Sequence, residues 1–358
     1  MELTEREKLV LFGLVKWPNL NDTELSERIG LNRSTLTSIR MRLTKERYFD
    51  SILLPDLAKI GCELIAALHS DYNLLAPFSV RKKTAILVRE KFRSYFLAAG
   101  VDKERVVIAA SRNFTELREQ VDYEEAIYWS KGYLTEEGTL YTYFPLEYSK
   151  IFNFLDYSDL LYKHFNLNLG LPSGGADKNF PYSKRVELKD KEKLLLYALV
   201  KYPTLSDTDL AKKLSTTRQT VSSTRKRFLG EGLLKPCNIP NIKKLGFELL
   251  VFHHSLFNPK FKLSERINES SKADYSKDWN SSSILDISSN LENIALHVFK
   301  SYTDFQREFK GHLSFYKKEG FLLKDPKIRI FPIKDLTPMS DIRFDLLMKK
   351  VLDITVEV

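Results

Sequence analysis

Apolar residues recur at helical spacing through the first part of the chain, break at polar and glycine positions, and then give way to alternation. Residues 5–16 place Leu9, Val10, Phe12, Leu14 and Val15 on a broad face, the pattern of a helix buried against a core. Pro18 ends that helix. Asn21 or Asp22 is placed to cap a short second helix over 23–29, accepting the N–H groups of its first turn. A break at 30–32 precedes a third helix over 33–47. It turns Leu36, Ile39 and Leu43 to one face and Ser34, Thr37, Ser38 and Met41 to the other. Two helices joined by three or four residues make a helix-turn-helix, and the extended pieces of 48–55 fit a small wing. Beyond Leu64 the period changes: strand 64–70, helix 80–92, strands 94–99 and 105–110, helix 114–132, strand 140–145. That order, βαββαβ, is the ferredoxin-like split βαβ. An amphipathic helix near 157–165 closes the segment.

The pattern then repeats. Residues 3–64 lie over 188–249 without a gap at a constant offset of 185, and 24 of those 62 positions are identical. Residues 106–117 lie over 294–305 at an offset of 188. Self-similarity of this extent marks a duplicated module. The second copy predicts helices over 206–214 and 218–231, the latter with Val221, Thr224 and Phe228 inward. It continues with strand 249–256, helix 263–273, strands 283–288 and 293–299, helix 302–320, strand 327–332 and a terminal helix over 341–352. The predicted divisions are winged helix-turn-helix domains at 1–58 and 187–243, ferredoxin-like domains at 59–148 and 244–334, a terminal helix and linker at 149–186, and a helical extension at 335–358. The small residues of 170–176 read as linker. Gly170 and Gly175 have the interval of a phosphate loop, but Ala176 stands where lysine is required.

Composition adds direction. With 43% apolar and 29% charged residues the chain is globular. Lys and Arg number 56 against 47 acids, a net charge of +9 that suits a polyanionic partner. The surplus sits in the third helices: residues 32–47 and 217–235 each carry five bases and one acid. Arg33, Arg40 and Arg42 recur as Arg218, Arg225 and Arg227. Outward Ser34, Thr37, Ser38 and Met41 are matched by Gln219, Ser222, Ser223 and Lys226. Short hydroxyl and amide side chains let a helix approach base edges, while guanidiniums meet phosphates. The bland alternative is a solvated basic face. Aromatics such as Tyr141, Tyr143 and Phe144 follow strand and helix faces, which favours core roles over stacking on single-stranded nucleic acid. Two cysteines, Cys62 and Cys237, do not align with each other and point to a reducing compartment. No apolar run reaches the roughly 18 residues of a membrane span, and the charged N-terminus is unlike a signal peptide. A cytoplasmic protein is expected. His69 lies over His254, and adjacent His253 points to the opposite face of its strand. No chelating pair results, and no metal or cofactor is expected.

The runs TLTSIRMRLTKERYF (35–49) with PDLAKIGCE (55–63), and TVSSTRKRFLGEGLL (220–234) with IPNIKKLGFE (239–248), resemble the Lrp/AsnC transcriptional regulators. The resemblance implies an α+β fold: two winged helix-turn-helix domains, each followed by a ferredoxin-like βαββαβ domain that serves assembly and often binds a small-molecule effector. It also implies dimers that present two reading helices to DNA. Arg40 and Arg225 depart from the family, which usually has an apolar residue there, and two copies in one chain would make a built-in pseudo-dimer. The expectation is a sequence-specific double-stranded DNA-binding regulator that is not an enzyme, with further homo-oligomerisation left open. Ser34, Thr37, Ser38, Gln219, Ser222 and Ser223 would read bases. Arg33, Arg40, Arg42, Arg218, Arg225, Lys226 and Arg227 would hold phosphates. The reading helices would sit about 34 Å apart. Two alternatives stand beside this. Siroheme decarboxylases use the same architecture as fused pairs, but the stretches around the central strands hold only His297, too little for histidine acid–base chemistry. A protein–protein adaptor would merely keep the helices.

Overall fold

The computed structural model describes residues 3–168, 183–273 and 275–356, so the 170–176 stretch lies outside the described residues. The first series is α1 (Glu5–Lys16), α2 (Asp22–Ile29), α3 (Arg33–Lys45), β1 (Phe49–Pro55), β2 (Leu64–Tyr72), α4 (Phe78–Phe92), β3 (Tyr95–Gly100), β4 (Glu104–Ser111), α5 (Phe114–Ser130), β5 (Leu134–Pro145), β6 (Lys150–Phe154) and α6 (Ser158–His164). The second is α7 (Asp190–Lys201), α8 (Asp207–Lys213), α9 (Arg218–Gly230), β7 (Leu234–Pro240), β8 (Leu249–Leu256), α10 (Leu263–Lys272), α11 (Tyr275–Ser281), β9 (Ser283–Ser288), β10 (Glu292–Phe299), α12 (Tyr302–Lys318), β11 (Lys327–Pro332) and α13 (Asp345–Val351). The fold is helix-turn-helix plus βαββαβ with antiparallel sheets, as expected.

Local chemistry sets the helix ends. Asn21 Oδ1 accepts from the N–H groups of Thr23 and Glu24, and Glu24 returns a bond to the Asn21 N–H, a capping box. Ser206 accepts from Asp209 N–H in the later series. Gly30 ends α2 at φ +68°, in the left-handed region that glycine enters without Cβ strain, and so aims the chain into α3.

The chain divides into two compact units, and each takes pieces from both series. Unit 1 holds residues 1–52, 150–180 and 236–334; unit 2 holds 53–149, 181–235 and 335–358. The single strands after α3 and α9, β1 and β7, pair with each other.

In unit 1 the sheet order is β11-β8-β10-β9-β6. β6, absent from the sequence reading, adds to the outer edge of β9, and α6 packs on α1. In unit 2 the order is β3-β4-β2-β5. Leu64, Ala66, Leu68 and Tyr72 of β2 face Val88 and Phe92 of α4 and Leu117, Val121 and Tyr128 of α5. The free edge of β3 is covered by 337–343: Ala98 N–H donates to Asp341 O, Arg343 N–H to Phe96 O and Thr337 N–H to Gly100 O. An uncovered edge would present a row of unpaired backbone groups.

Candidate functional site

Helices α3 and α9 divide their predicted residues into two sets. Arg33, Ser34 and Ser38 on α3 are exposed, as are Arg218, Gln219, Ser223 and Lys226 on α9. Arg33 and Arg218 make no hydrogen bond or ion pair among the described residues. The second set is engaged within its own helix-turn-helix. Arg40 pairs with Asp22, to which Thr37 also donates at 2.6 Å, and Arg42 pairs with Glu7. Arg225 donates to Asp207 at 2.8 Å, and Arg227 pairs with Glu192 at 2.5 Å. In both places the first arginine ties the third helix of the series to the helix before it, and the second ties it to the first helix. Ser222 is half-buried. Arginine at 40 and 225 is therefore a staple to an acid at the start of the preceding helix.

A concave site lies elsewhere, in unit 2. Residues of β2, β3, β4, α4 and the 337–341 segment line a small pocket open to solvent. Three arginines reach it: Arg81, Arg89 and Arg105. Arg81 is a clamp. Its Nε donates to Ala76 O at 2.7 Å, its Nη2 to Asp102 O at 2.8 Å, and its guanidinium lies 3.6 Å above the Tyr72 ring. Arg266, at an offset of 185, repeats this in unit 1: it donates to Asn290 O and Ser289 O and stands 3.7 Å above Phe257.

Arg89 and Arg105 differ. Arg89 Nη2 holds the Asp341 carboxylate at 3.0 and 3.2 Å, and Arg105 pairs with Glu124, which also accepts from the Tyr95 hydroxyl. The Nε of each is buried and meets no acceptor among the described residues. Burying an unmatched donor of a charged group is costly. Burial opposes the charge on Arg105, while the Glu124 carboxylate paired with it favours that charge, and its pKa moves up. Burial raises Tyr72, which keeps its proton, and burial with Glu124 raises Tyr95 well above the usual range. The pocket thus sets carboxylate-paired arginines beside protonated phenols. Sequence reasoning missed it because its residues are scattered from β2 to the 337–341 segment. One signal existed: Arg105 lies over Asn293 at an offset of 188, a cation present in only one copy.

No family model matches the chain, and no curated protein does. Among solved structures, the siroheme decarboxylase NirDL aligns over 98% of this chain and 99% of its own, with 11% identity and a TM-score of 0.48. The same enzyme in co-complex with an iron-uroporphyrin III analogue gives 12% identity and a TM-score of 0.49, with the same coverage. AsnC of E. coli covers 41% of this chain and 93% of its own, with 12% identity and a TM-score of 0.32. At these identities the likeness is one of fold. The expectation that the chain is not an enzyme is corrected here: the solved chains that it parallels from end to end are an enzyme's. The scarcity of histidine that spoke against an enzyme does not bear on a pocket built from arginine and tyrosine. No described helix is long and apolar enough to cross a membrane.

Proposed function

We propose that this chain is a decarboxylase-like enzyme acting on a carboxylate-rich substrate, a tetrapyrrole of the siroheme kind, at the unit 2 pocket. One observation carries the reading: Arg89 and Arg105 line a single pocket, each with a buried Nε that meets no acceptor. Guanidiniums bind carboxylates in a fixed fork geometry. Loss of CO2 from a bound carboxylate breaks a C–C bond and leaves an electron pair on carbon, which a proton must fill. The Tyr72 hydroxyl, kept protonated by burial, is the donor in this reading. The test is titration with uroporphyrin followed by visible absorbance, then assay of siroheme for CO2 release. Arg89→Gln should weaken porphyrin binding at least about tenfold, or about 1.4 kcal/mol. Equal affinity for wild type and variant would remove the pocket from the reading.

A second reading, duplex-DNA binding, is favoured by Arg33 with Ser34 and Ser38, and by Arg218 with Gln219, Ser223 and Lys226, standing exposed on both reading helices. Affinity for random duplex should then fall steeply with salt as counterions are released. A flat salt response counts against it.

A further inference from the structure

Helix α4 and the turn before it carry an outward face unlike that of their counterparts in the second series. Leu74 and Leu75, in the turn between β2 and α4, are 66% and 90% exposed, and Val80, Ile86 and Leu87 stand exposed along the helix. At an offset of 185 these positions hold Pro259, Lys260, Glu265, Ser271 and Lys272, none of them a large apolar side chain. The same fold is thus built without apolar residues here, so folding does not demand them. Charge differs in step: α4 carries five bases and one acid, whereas α10 carries two of each. Lys82 and Lys83 are exposed, and their ammonium groups make no hydrogen bond or ion pair among the described residues. The same holds for Lys103 and Lys131. The loops of these two flank the leucine turn, since Tyr72 N–H donates to Lys103 O at 2.7 Å and Asn73 N–H to Tyr133 O at 2.9 Å.

The turn is fixed before any contact is made. Leu75 N–H donates to Asn73 Oδ1 at 3.0 Å and Ala76 N–H to Asn73 O at 2.9 Å, so little ordering entropy opposes burial of the two leucines. Large apolar residues grouped on one exposed face and rimmed by charge mark an interaction site. A leucine that is 90% exposed is a protrusion, and a bilayer accepts a protrusion without a matching groove. We propose that the Leu74–Leu75 turn and the outward face of α4 dock on an anionic lipid bilayer. The leucines enter the boundary between headgroups and acyl chains, and Lys82, Lys83, Lys103 and Lys131 meet the lipid phosphates. Lysine suits that layer because its stem lies along apolar surface while its ammonium stays among the headgroups. A second copy of this chain fits less well, because a two-fold contact would set these lysines against themselves. An acidic protein with a groove for the leucines is the other rival.

The experiment is co-sedimentation of the full-length protein with vesicles of phosphatidylcholine, and with vesicles of phosphatidylcholine mixed with phosphatidylglycerol. Wild type should bind the mixed vesicles and not the neutral ones. Leu75→Lys installs the residue of the second series at an exposed site and adds a positive charge. It should still weaken binding at least about tenfold, because it removes a leucine that the bilayer would bury. Lys82→Glu with Lys83→Glu should weaken binding by at least as much. Leu291→Ser, which removes an exposed leucine from the β9–β10 turn of unit 1, should leave it unchanged. Unchanged binding by Leu75→Lys would reduce the contact to general adsorption of a basic protein, and an equal loss with Leu291→Ser would spread it beyond this face; either overturns the proposal. Failure of wild type to bind the mixed vesicles overturns it as well. A dimer that Leu75→Lys dissolves, read by light scattering, would then give the face to a second copy, and a monomer would give it to an acidic protein.

Discussion

Three histidines share the core of unit 1, and folding leaves none of them room for a second proton. His253 on β8, His297 on β10 and His312 on α12 surround Trp279, with ring centroids 5.6, 4.0 and 4.8 Å from the indole. Burial, reinforced by the neighbouring imidazoles, pushes His253 down to about 3 and the other two well below the usual histidine range. The unfolded chain takes up these protons below about pH 6.5 while the folded one does not, so acid favours unfolding. Each group contributes up to about 1.4 kcal/mol per pH unit. Urea unfolding should show stability falling from pH 6.5 toward pH 4, the three histidines outnumbering buried Asp286 and Glu308, whose raised pKa values act in the opposite sense. His297→Leu should reduce that slope; an unchanged profile in the variant would place the acid sensitivity elsewhere. The arginines of α3 and α9 separate by the same physics of contact. Arg40→Ala removes a staple and should lower thermal stability by up to about 1 kcal/mol, whereas Arg33→Ala should leave stability unchanged and, on the duplex-binding reading, lower duplex affinity. Melting curves and binding isotherms on both variants check this. That Arg40 serves a neighbouring acid was not legible in the sequence, because helix periodicity locates a face and not its partner: Asp22 lies 18 residues away.

Elements whose pattern is local were legible. α1 matches its predicted span, and β8, β9 and β11 were placed to the residue. The misses share one cause. β6 owes its extended form to β9, and the first part of β5 is polar and pairs only at Leu134 with Tyr72. α11 is a single short helix anchored by buried Trp279. In each, tertiary pairing overrides a weak local signal. The pocket belongs to the same class, since one wall is the 337–343 strap on β3. Asp341 on that strap holds Arg89 with a carboxylate, the group expected of the substrate. Asp341→Asn should therefore release Arg89 and tighten porphyrin binding several-fold, roughly 0.5–1 kcal/mol. An absorbance titration decides it, and weaker binding would show that Asp341 helps to form the site.

At the scale of the whole molecule, each unit is completed by a segment from the other series. Residues 1–168 and 183–358, produced as separate polypeptides, should each leave a sheet edge uncovered and aggregate. Produced together, they should assemble into one soluble complex. Size-exclusion chromatography reads the result, and a well-behaved monomer from either half alone would contradict it. The strap has a consequence in time as well as in space. Gly100 meets Ser340 across 240 residues of chain. At about 5–20 residues per second, the ribosome takes roughly 10–50 s to supply the second after the first. Through that interval the β3 border stays open on the nascent protein, so an early stop codon does more than remove a tail: it leaves an adhesive margin on a half-made molecule, which is the form that chaperones must hold.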